Sequence, residues 1–541
     1  MNEADTQFYK DFDDYLEWSI SRSPVTATVM GIHEYDDRLG DLSLASQDEE
    51  YRFNQQYAEK FARAEGSEDK NVAVDASMVS AMVRASIQSY EQIQARFRMA
   101  DMYIDEAVFG PYVLLSKDFA PLPERLSNLA KRLADVPGVL EQGMKNLERP
   151  PKIWTQIAMQ HAAGGVSFYE NAVPAVAAGV PELASQVQDA SRKAADAMKD
   201  FLRYLEEDLL PRSDGEYAIG EQLWNEIVQK HHMLDADADE IEETGRRLIT
   251  ETNEEMTMLA DKHWPGKTVP EVLAELRSNH PQPGELLDVY RKFMRDSRQF
   301  IIDHDLVTIP KGEKLEIQET PEFQRPTLPF AAYLMPGPFE KEQQGVFWVT
   351  PVDPNLPDEE RETRLRGHPY GKIAVTAVHE GYPGHHLQLV RGNAASTMPR
   401  KIAASTLFVE GWAFYCEEMM EQQGFLTDPA SKFLRLSDQL WRACRIVIDV
   451  GLHTRGMSVD EGIDMLVNVA GLERPDATAE VHRYTMSPTQ PMCYLIGKLE
   501  LMKIADEYKR RKGSDFKLKT FHDELLSLGS LTPKLIRKML F

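Results

Sequence analysis

Helical periodicity dominates the hydrophobic pattern of this 541-residue chain. In segment 76–99, apolar side chains recur at intervals of three and four residues, which places them on one face of an α-helix. The same spacing predicts further helices over segments 126–147, 184–210, 236–263 and 287–303. Prolines between the segments are typical of helix ends. The pattern predicts a mainly α fold, with an N-terminal helical lobe over residues 1–305.

The pattern changes between residues 310 and 357, where nine prolines exclude long helices. Within this region the run 345–350 (GVFWVT) is β-branched and aromatic, which predicts a small β element. That strand either seals the core or is an edge strand that pairs with an extended peptide. Helices resume at about residue 371 and continue to the end. Residues 306–541 are therefore the predicted second lobe, which would carry the candidate site. The alternative is that both parts of the chain form one intertwined fold.

Composition excludes some classes of partner. A hydrophobic content of 42% and a charged content of 27% are ordinary for a soluble globular protein. The formal net charge of −26 argues against nucleic acid and anionic membrane as partners, because both would repel the chain. The same excess is equally consistent with a surface that only keeps the protein soluble. The first twenty residues have no basic or apolar signal region, and the three cysteines are widely spaced. These features predict a cytoplasmic protein.

The strongest chemical signal is the octapeptide 379–386, HEGYPGHH. In the usual H-E-x-x-H arrangement, two histidines four apart on a helix hold zinc and the glutamate activates water. Here Pro383 occupies the position four after His379, and the next histidines are His385 and His386. On a regular helix His385 lies about 240° around from His379, and His386 lies about 10.5 Å further along the axis. Neither position suits a tetrahedral metal ion.

A local bulge would restore the metal spacing. Pro383 removes a helical hydrogen bond, and Gly381 and Gly384 on either side accept unusual dihedral angles. A two-residue bulge would bring His385 to the place of the usual second histidine, and bulges of this kind are frequent at functional sites. His386 is the alternative ligand.

Glu410 is the best candidate for a third ligand, in a predicted helix that begins near 408. Two histidines and one glutamate leave a metal position open for water, as in catalytic zinc sites. The prediction is therefore one Zn²⁺ ion held by His379, His385 and Glu410. Glu380 would be the general base.

Three segments carry a resemblance to a known family: 379–389 (HEGYPGHHLQL), 409–415 (VEGWAFY) and 481–497 (VHRYTMSPTQPMCYLIG). They resemble the bacterial domain-of-unknown-function family 885, which is grouped with the HExxH metallopeptidases near carboxypeptidase Taq and thimet oligopeptidase. The resemblance covers nearly the whole chain. It implies a large, two-lobed, gluzincin-like helical fold with a zinc site on the floor of a deep cleft. It also favours His385 over His386 as ligand, and it matches Glu410 to the downstream glutamate ligand.

Four distal residues are further candidates for catalysis. The resemblance suggests Tyr484 and Tyr494 for a loop over the metal, where a hydroxyl could donate to the oxyanion of a tetrahedral intermediate. Tyr494 could equally be a core residue of an amphipathic helix. Arg483 either binds a substrate carboxylate or forms a surface ion pair. His453 is four residues after Asp449, so the two share a helix face as a cleft donor or as a buried polar pair.

Three functions follow from these patterns. The first is a zinc-dependent peptidase, a carboxypeptidase or oligopeptidase, that hydrolyses short peptides with metal-activated water. The second is a metalloenzyme that acts on a modified amino acid or a peptide-like metabolite in a biosynthetic pathway. The third is a non-catalytic helical binding protein whose histidines are structural. The expected partner of either enzyme is a short peptide or a peptide-like small molecule.

Overall fold

The computed structural model describes residues 2–321, 325 and 330–541. Contacts divide the chain into two compact units. The first extends to Tyr217 and includes Gly337–Glu340, and the second begins at Ala218. The boundary predicted at residue 305 lies inside the second unit. The reason is packing, because Gly245 in the helix Ala238–His263 lies directly against Ile446 and Val447 of the helix Pro429–Thr454.

The first unit is built from helices around a core that contains Tyr103, Leu133 and Phe201. The helix predicted over 76–99 is interrupted, since a π-turn at Ser89–Ile93 leads to Gln94 in the left-handed conformation. The described α-helices of this unit are α1 Glu3–Arg22, α2 Pro24–Met30, α3 Leu44–Ala64, α4 Lys70–Gln88, α5 Ala95–Arg98, α6 Asp101–Ser116, α7 Leu122–Asn146, α8 Lys152–Ser167, α9 Val173–Ala177 and α10 Pro181–Tyr204.

The second unit is also mainly helical, and it contains the octapeptide. Its described α-helices are α11 Glu221–Glu226, α12 Ala238–His263, α13 Val269–Ser278, α14 Leu286–Asp303, α15 Asp358–Leu365, α16 Tyr370–Thr376, α17 His385–Asn393, α18 Met398–Ile402, α19 Thr406–Gln422, α20 Pro429–Thr454, α21 Val459–Asn468, α22 Arg474–Met486, α23 Cys493–Lys512, α24 Leu518–Ser527 and α25 Pro533–Leu540. The prediction of a mainly α fold is confirmed.

A three-stranded sheet belongs to the second unit, with β1 at Lys314–Glu319, β2 at Ala331–Leu334 and β3 at Gln344–Val349. The central strand is β3, which pairs parallel with β1 and antiparallel with β2. The predicted strand is therefore confirmed, but the edge-strand interpretation is wrong because β3 has a neighbour on each side. Its Phe347 and Trp348 are buried, as expected of a strand that seals the core.

The helix α15 escaped prediction because it has almost no apolar face. Among its eight residues only Leu365 is buried, and the rest are mostly charged. A helix of this kind is held by ion pairs along its surface, such as Arg364 with Glu360, and gives no hydrophobic period to detect. In the part of the chain that the structure describes, no helix has both the length and the apolar character needed to cross a membrane.

Candidate metal site

The octapeptide does not form a continuous helix. After α16, residues Ala377–Gly381 form a π-turn in which the amide of Tyr382 donates to the carbonyl of Ala377 at 3.1 Å. The Tyr382–Pro383 peptide bond is cis, and the amide of Gly384 donates to the carbonyl of Val378 at 3.0 Å. A new helix, α17, begins at His385. The turn is thus widened where the motif's proline and glycines predict a bulge.

This turn brings His379 and His385 together. Their ring centroids lie 4.8 Å apart and the ring planes are almost perpendicular, at 89°. With Glu410 they form a group whose ligand atoms all lie within 4.8 Å of one another. The Nε2 atom of His385 is 3.4 Å from Oε2 of Glu410. Ligands about 2.1 Å from a tetrahedral zinc ion are roughly 3.4 Å apart, so this pair has the spacing of two zinc ligands.

The donor set fits a catalytic zinc ion. It has two imidazoles and one carboxylate, which leaves a fourth position open. Oε2 of Glu410 is buried and has no hydrogen-bond partner within the described residues, so a carboxylate oxygen is available inside the protein. Burial alone would raise the pKa of Glu410, but the contact with His385 and the charges of His379 and Arg445 hold it at about 2. The carboxylate of this candidate ligand is therefore ionised near neutral pH.

Glu417 orients the first histidine. Its Oε1 lies 2.8 Å from Nδ1 of His379, and both side chains are buried. A carboxylate on Nδ1 fixes the tautomer of the ring and leaves Nε2 for a metal, as is usual for zinc-binding histidines. Glu417 was not among the predicted site residues, although its position in the sequence carries a signal. It follows Glu410 by seven residues, two helical turns along the same face of α19.

Glu380 follows the candidate ligand His379, and its carboxylate has no hydrogen-bond partner among the described residues. Its side chain is half-buried, and no described residue forms an ion pair with it. Its charge helps to raise the pKa of Tyr333 and Tyr290, in both cases after the larger effect of burial, and it also acts on His385. Glu380 is thus a free carboxylate next to the three candidate ligands, which is the position of a general base.

His386 has a different environment from His385. It is fully buried, its Nε2 lies 2.8 Å from Oε2 of Glu313, and its Nδ1 lies 3.0 Å from the hydroxyl of Tyr333. Glu313 also accepts from the hydroxyl of Tyr382 at 2.7 Å. Both ring nitrogens of His386 are therefore occupied, and the structure places His385 rather than His386 with the other candidate ligands. Glu313 lies in the proline-rich region, where no periodic pattern indicated it.

Two backbone contacts fix α19 and therefore Glu410. The indole Nε1 of Trp412 donates to the carbonyl of Pro383 at 2.8 Å, which ties the helix to the widened turn. At the crossing of α19 and α23, Gly411 lies against Gly497, and a Cβ on Gly497 would be 2.0 Å from the carbonyl oxygen of Leu407. The two backbones approach so closely that neither glycine has room for a side chain.

The distal candidates lie in the same unit, and they differ in how many of their polar groups already have a partner. The buried hydroxyl of Tyr484 donates to Glu480 at 2.7 Å, and the half-buried hydroxyl of Tyr494 accepts a long 3.4 Å contact from Gln490. Arg483 pairs with Glu480 at 2.9 Å and is 40% exposed, so it forms a surface ion pair. Only Tyr494 has a hydroxyl proton that no described residue accepts.

His453 belongs to a buried polar cluster. Its Nε2 lies 2.9 Å from the carbonyl oxygen of Tyr484 and 3.9 Å from Asp449. Asp449 accepts from the amide of Thr489 at 3.0 and 3.1 Å, and burial raises the pKa of Asp449 to about 8. These contacts hold α20 against the turn after α22, as in the buried-pair interpretation.

Two solved structures have the same fold. One is described as a lipoprotein of unknown function from Shewanella oneidensis, with 23% identity, a TM-score of 0.80 and 99% coverage of both chains. The other is described as a lipoprotein from Colwellia psychrerythraea, with 18% identity, a TM-score of 0.83, and coverage of 100% of this chain and 99% of that one. Comparison with curated proteins finds no match.

These structures overturn the prediction of a cytoplasmic location, since proteins with this fold over their whole length are described as lipoproteins. The cysteine count misled the sequence analysis. Cys416, Cys444 and Cys493 are all buried, and burial raises the pKa of each thiol. Such thiols are inert in any compartment. The model of one family, described as bacterial proteins of unknown function (DUF885), matches residues 24–540, and the chain belongs to that family.

Proposed function

We propose that this protein is a zinc-dependent hydrolase of short peptides. The observation that carries the proposal is the convergence of His379, His385 and Glu410 within 4.8 Å, with the uncommitted carboxylate of Glu380 beside them. The resemblance of the motif to the HExxH metallopeptidases supports the same chemistry. The similar structures described as lipoproteins support a place of action outside the cytoplasm.

In the proposed reaction, the residues around the site have separate roles. A zinc ion bound at this site supplies Lewis acidity, which makes water a nucleophile near neutral pH and polarises a substrate carbonyl. Glu380 takes the proton from the attacking water and later transfers it to the leaving amine. Glu417 keeps the ring of His379 in the tautomer that presents Nε2. Tyr494 is the better oxyanion donor of the two tyrosines, because Tyr484 already donates to Glu480.

Glu380→Gln tests the proposed role directly. The zinc-loaded variant should keep its metal and its melting temperature but lose about 10²–10⁴-fold in turnover, because the general base is gone. Glu254→Gln, an exposed glutamate on α12, is the matched control and should behave as wild type. Substrates come from a peptide library that is digested and analysed by mass spectrometry. Near-wild-type turnover by Glu380→Gln would refute the assignment of Glu380 as the general base.

Metal analysis separates the other two functions. A protein that binds zinc through His379, His385 and Glu410 but cleaves no peptide in the library would favour the metalloenzyme of a peptide-like metabolite. A protein that purifies without metal, and whose properties do not change in His379→Ala or Glu410→Ala, would favour the non-catalytic binding protein.

A further inference from the structure

A second cluster of charged groups lies beside the candidate metal site, on α20 and α23. The guanidinium groups of Arg442 and Arg445 both lie 4.3 Å from the ring centroid of Trp441. The ring centroid of Tyr494 lies 5.7 Å from the guanidinium of Arg442 and 4.7 Å from that of Arg445. The two cations, three residues apart on one helix, thus each lie within cation–π distance of the same two aromatic rings.

Arg445 is buried with part of its guanidinium unused. Its side chain is only 4% exposed. Nε donates to the hydroxyl of Tyr484 at 2.7 Å and Nη2 donates to Glu480 at 2.8 Å. Nη1 is buried and donates to no described residue. Leaving such a donor unpaired costs free energy, so Nη1 is a donor that a bound ligand could satisfy.

Arg442 has more unpaired donors than Arg445. Its side chain is 11% exposed, and both Nε and Nη1 are buried without a hydrogen bond to any described residue. The nearest carboxylate is Asp438, at 3.5 Å, which is also the ion-pair partner of Lys372. Asp438 therefore does not serve Arg442 alone, and the fork of the guanidinium remains available for another anion.

Both arginines are close to the candidate metal ligand on α19. The guanidinium of Arg442 lies 5.6 Å from the ring centroid of Phe414, which follows Glu410 by one helical turn on the same face. The guanidinium of Arg445 lies 4.7 Å from the ring centroid of Tyr494 on α23, the helix whose Gly497 packs against Gly411, the residue after Glu410. These contacts connect both arginines to the part of α19 that carries Glu410.

The chemistry of the cluster selects the kind of anion. A planar guanidinium fork matches the planar carboxylate group. The carboxylates of Glu480 and Asp438 already lie beside the arginines, so a doubly charged phosphate would meet more repulsion than a singly charged carboxylate. The aromatic rings of Trp441 and Tyr494 also form an apolar wall in which such a charge pair is desolvated.

We propose that Arg442 and Arg445 bind the substrate's carboxylate, and that this group is the α-carboxylate at the C-terminus of a peptide. This inference rests on the proposed function and narrows it to a carboxypeptidase. It reassigns the carboxylate-binding role from Arg483 to two arginines on α20. A side-chain carboxylate of aspartate has the same chemistry, so the test separates the two sources.

The test measures binding as well as turnover. Zinc-loaded Glu380→Gln protein is titrated by calorimetry with three N-acetylated tripeptides of one core sequence: the free acid, the C-terminal amide, and the amide with an internal aspartate. We expect the free acid to bind at least ~30-fold more tightly than either amide, the range of two charge-assisted hydrogen bonds. In the same background, Arg442→Gln should reduce the ratio of amide Kd to free-acid Kd at least ~10-fold. Arg442→Lys should restore it only in part, because the ammonium lacks the fork.

The matched control is Arg455→Gln, which changes an arginine at the end of the same helix that pairs with Glu221. It should leave the preference for the acid unchanged. Arg445→Gln is not the primary variant because it leaves Glu480 and Tyr484 without a buried partner. Zinc content and melting temperature, measured for each variant, show whether a loss of binding comes from a loss of fold.

The outcomes distinguish the two proposals. Equal binding of acid and amide, or an Arg442→Gln variant with the full preference, would overturn the carboxylate site even if wild-type protein cleaves peptides. Preference for the internal aspartate would keep the arginine site and replace the α-carboxylate by a side chain. A clear preference for the free acid without any hydrolysis by wild-type protein would support the site and refute the peptidase.

Discussion

Replacing Gly384 by alanine should break the candidate metal site through the backbone alone. A Cβ at this position would lie 1.9 Å from the carbonyl oxygen of His379 and 2.3 Å from that of Val378. Both clashing atoms are main chain, so no rotamer change relieves them, and the turn must open by more than about 1 Å. Opening the turn moves His385 away from His379, because His385 is the next residue.

The magnitude follows from the cost of overpacking. Insertion of a methyl group into a filled site costs about 1–3 kcal/mol, and a backbone clash belongs at the upper end. If the bound metal ion has to hold the strained turn closed, about 3 kcal/mol corresponds to a roughly 100-fold weaker Kd for zinc. We therefore expect Gly384→Ala to lose zinc affinity by about two orders of magnitude, with a lower melting temperature.

Competition with a chromogenic chelator at pH 7 measures the zinc affinity, and thermal unfolding measures the stability. Gly138→Ala is the matched control. Gly138 is an exposed residue in the middle of α7, and a Cβ added there would have nothing within 4 Å. That variant should bind zinc as wild type does and gain about 0.5–1 kcal/mol of stability. A Gly384→Ala protein with zinc affinity within twofold of wild type and the same melting temperature would refute the reasoning.

Three further predictions concern individual contacts. His385→Ala should weaken zinc binding more than ~100-fold, whereas His386→Ala should keep the ligand set and mainly lower the melting temperature. Trp412→Phe should lower the stability by about 1–3 kcal/mol, because the buried carbonyl of Pro383 loses its donor. Asp449→Asn should flatten the pH dependence of unfolding, because burial raises the pKa of Asp449 to about 8 in the folded state. The wild-type protein should lose up to ~1.4 kcal/mol per pH unit more than the variant as pH rises between about 4 and 8, since only the unfolded chain ionises there.

Each of these has its own check. The two histidine variants are controls for each other in the chelator titration, and equal losses of zinc would contradict the different environments of the rings. Trp264→Phe, at an indole that packs on Phe433, keeps all backbone hydrogen bonds and should cost less than Trp412→Phe. For Asp449, urea unfolding at pH 5, 6, 7 and 8 gives the slope, and parallel curves for variant and wild type would show that the carboxyl group does not hold its proton.

The helical class and the position of the metal site could be predicted because each leaves a local signal. Apolar residues at a period of 3.6 specify the helices, and three histidines in an apolar segment stand out from the sequence. The proline between two glycines also indicated a widened turn. These features need no knowledge of distant contacts.

What escaped prediction depends on distant parts of the chain. Glu313 reaches His386 from a segment 73 residues away, and nothing near either residue announces the pairing. Arg442 and Arg445 form part of a good amphipathic helix pattern, so their burial beside Tyr494 looked ordinary in the sequence. The division of the chain after Tyr217 was missed for a similar reason, because it depends on which helices pack together and not on the helices themselves.

The two residues that lengthen the octapeptide also attach it to the rest of the unit. Removing Tyr382 and Pro383 from the sequence would leave His-Glu-Gly-Gly-His, with the ordinary spacing of a zinc-binding helix. In the folded chain the hydroxyl of Tyr382 donates to Glu313, and the carbonyl of Pro383 accepts from Trp412. With the two inserted residues, the octapeptide loses hydrogen bonds along a helix and gains hydrogen bonds to two separate segments. The octapeptide is therefore not portable, because on another helix it would carry the metal ligands without the attachments that bring them together.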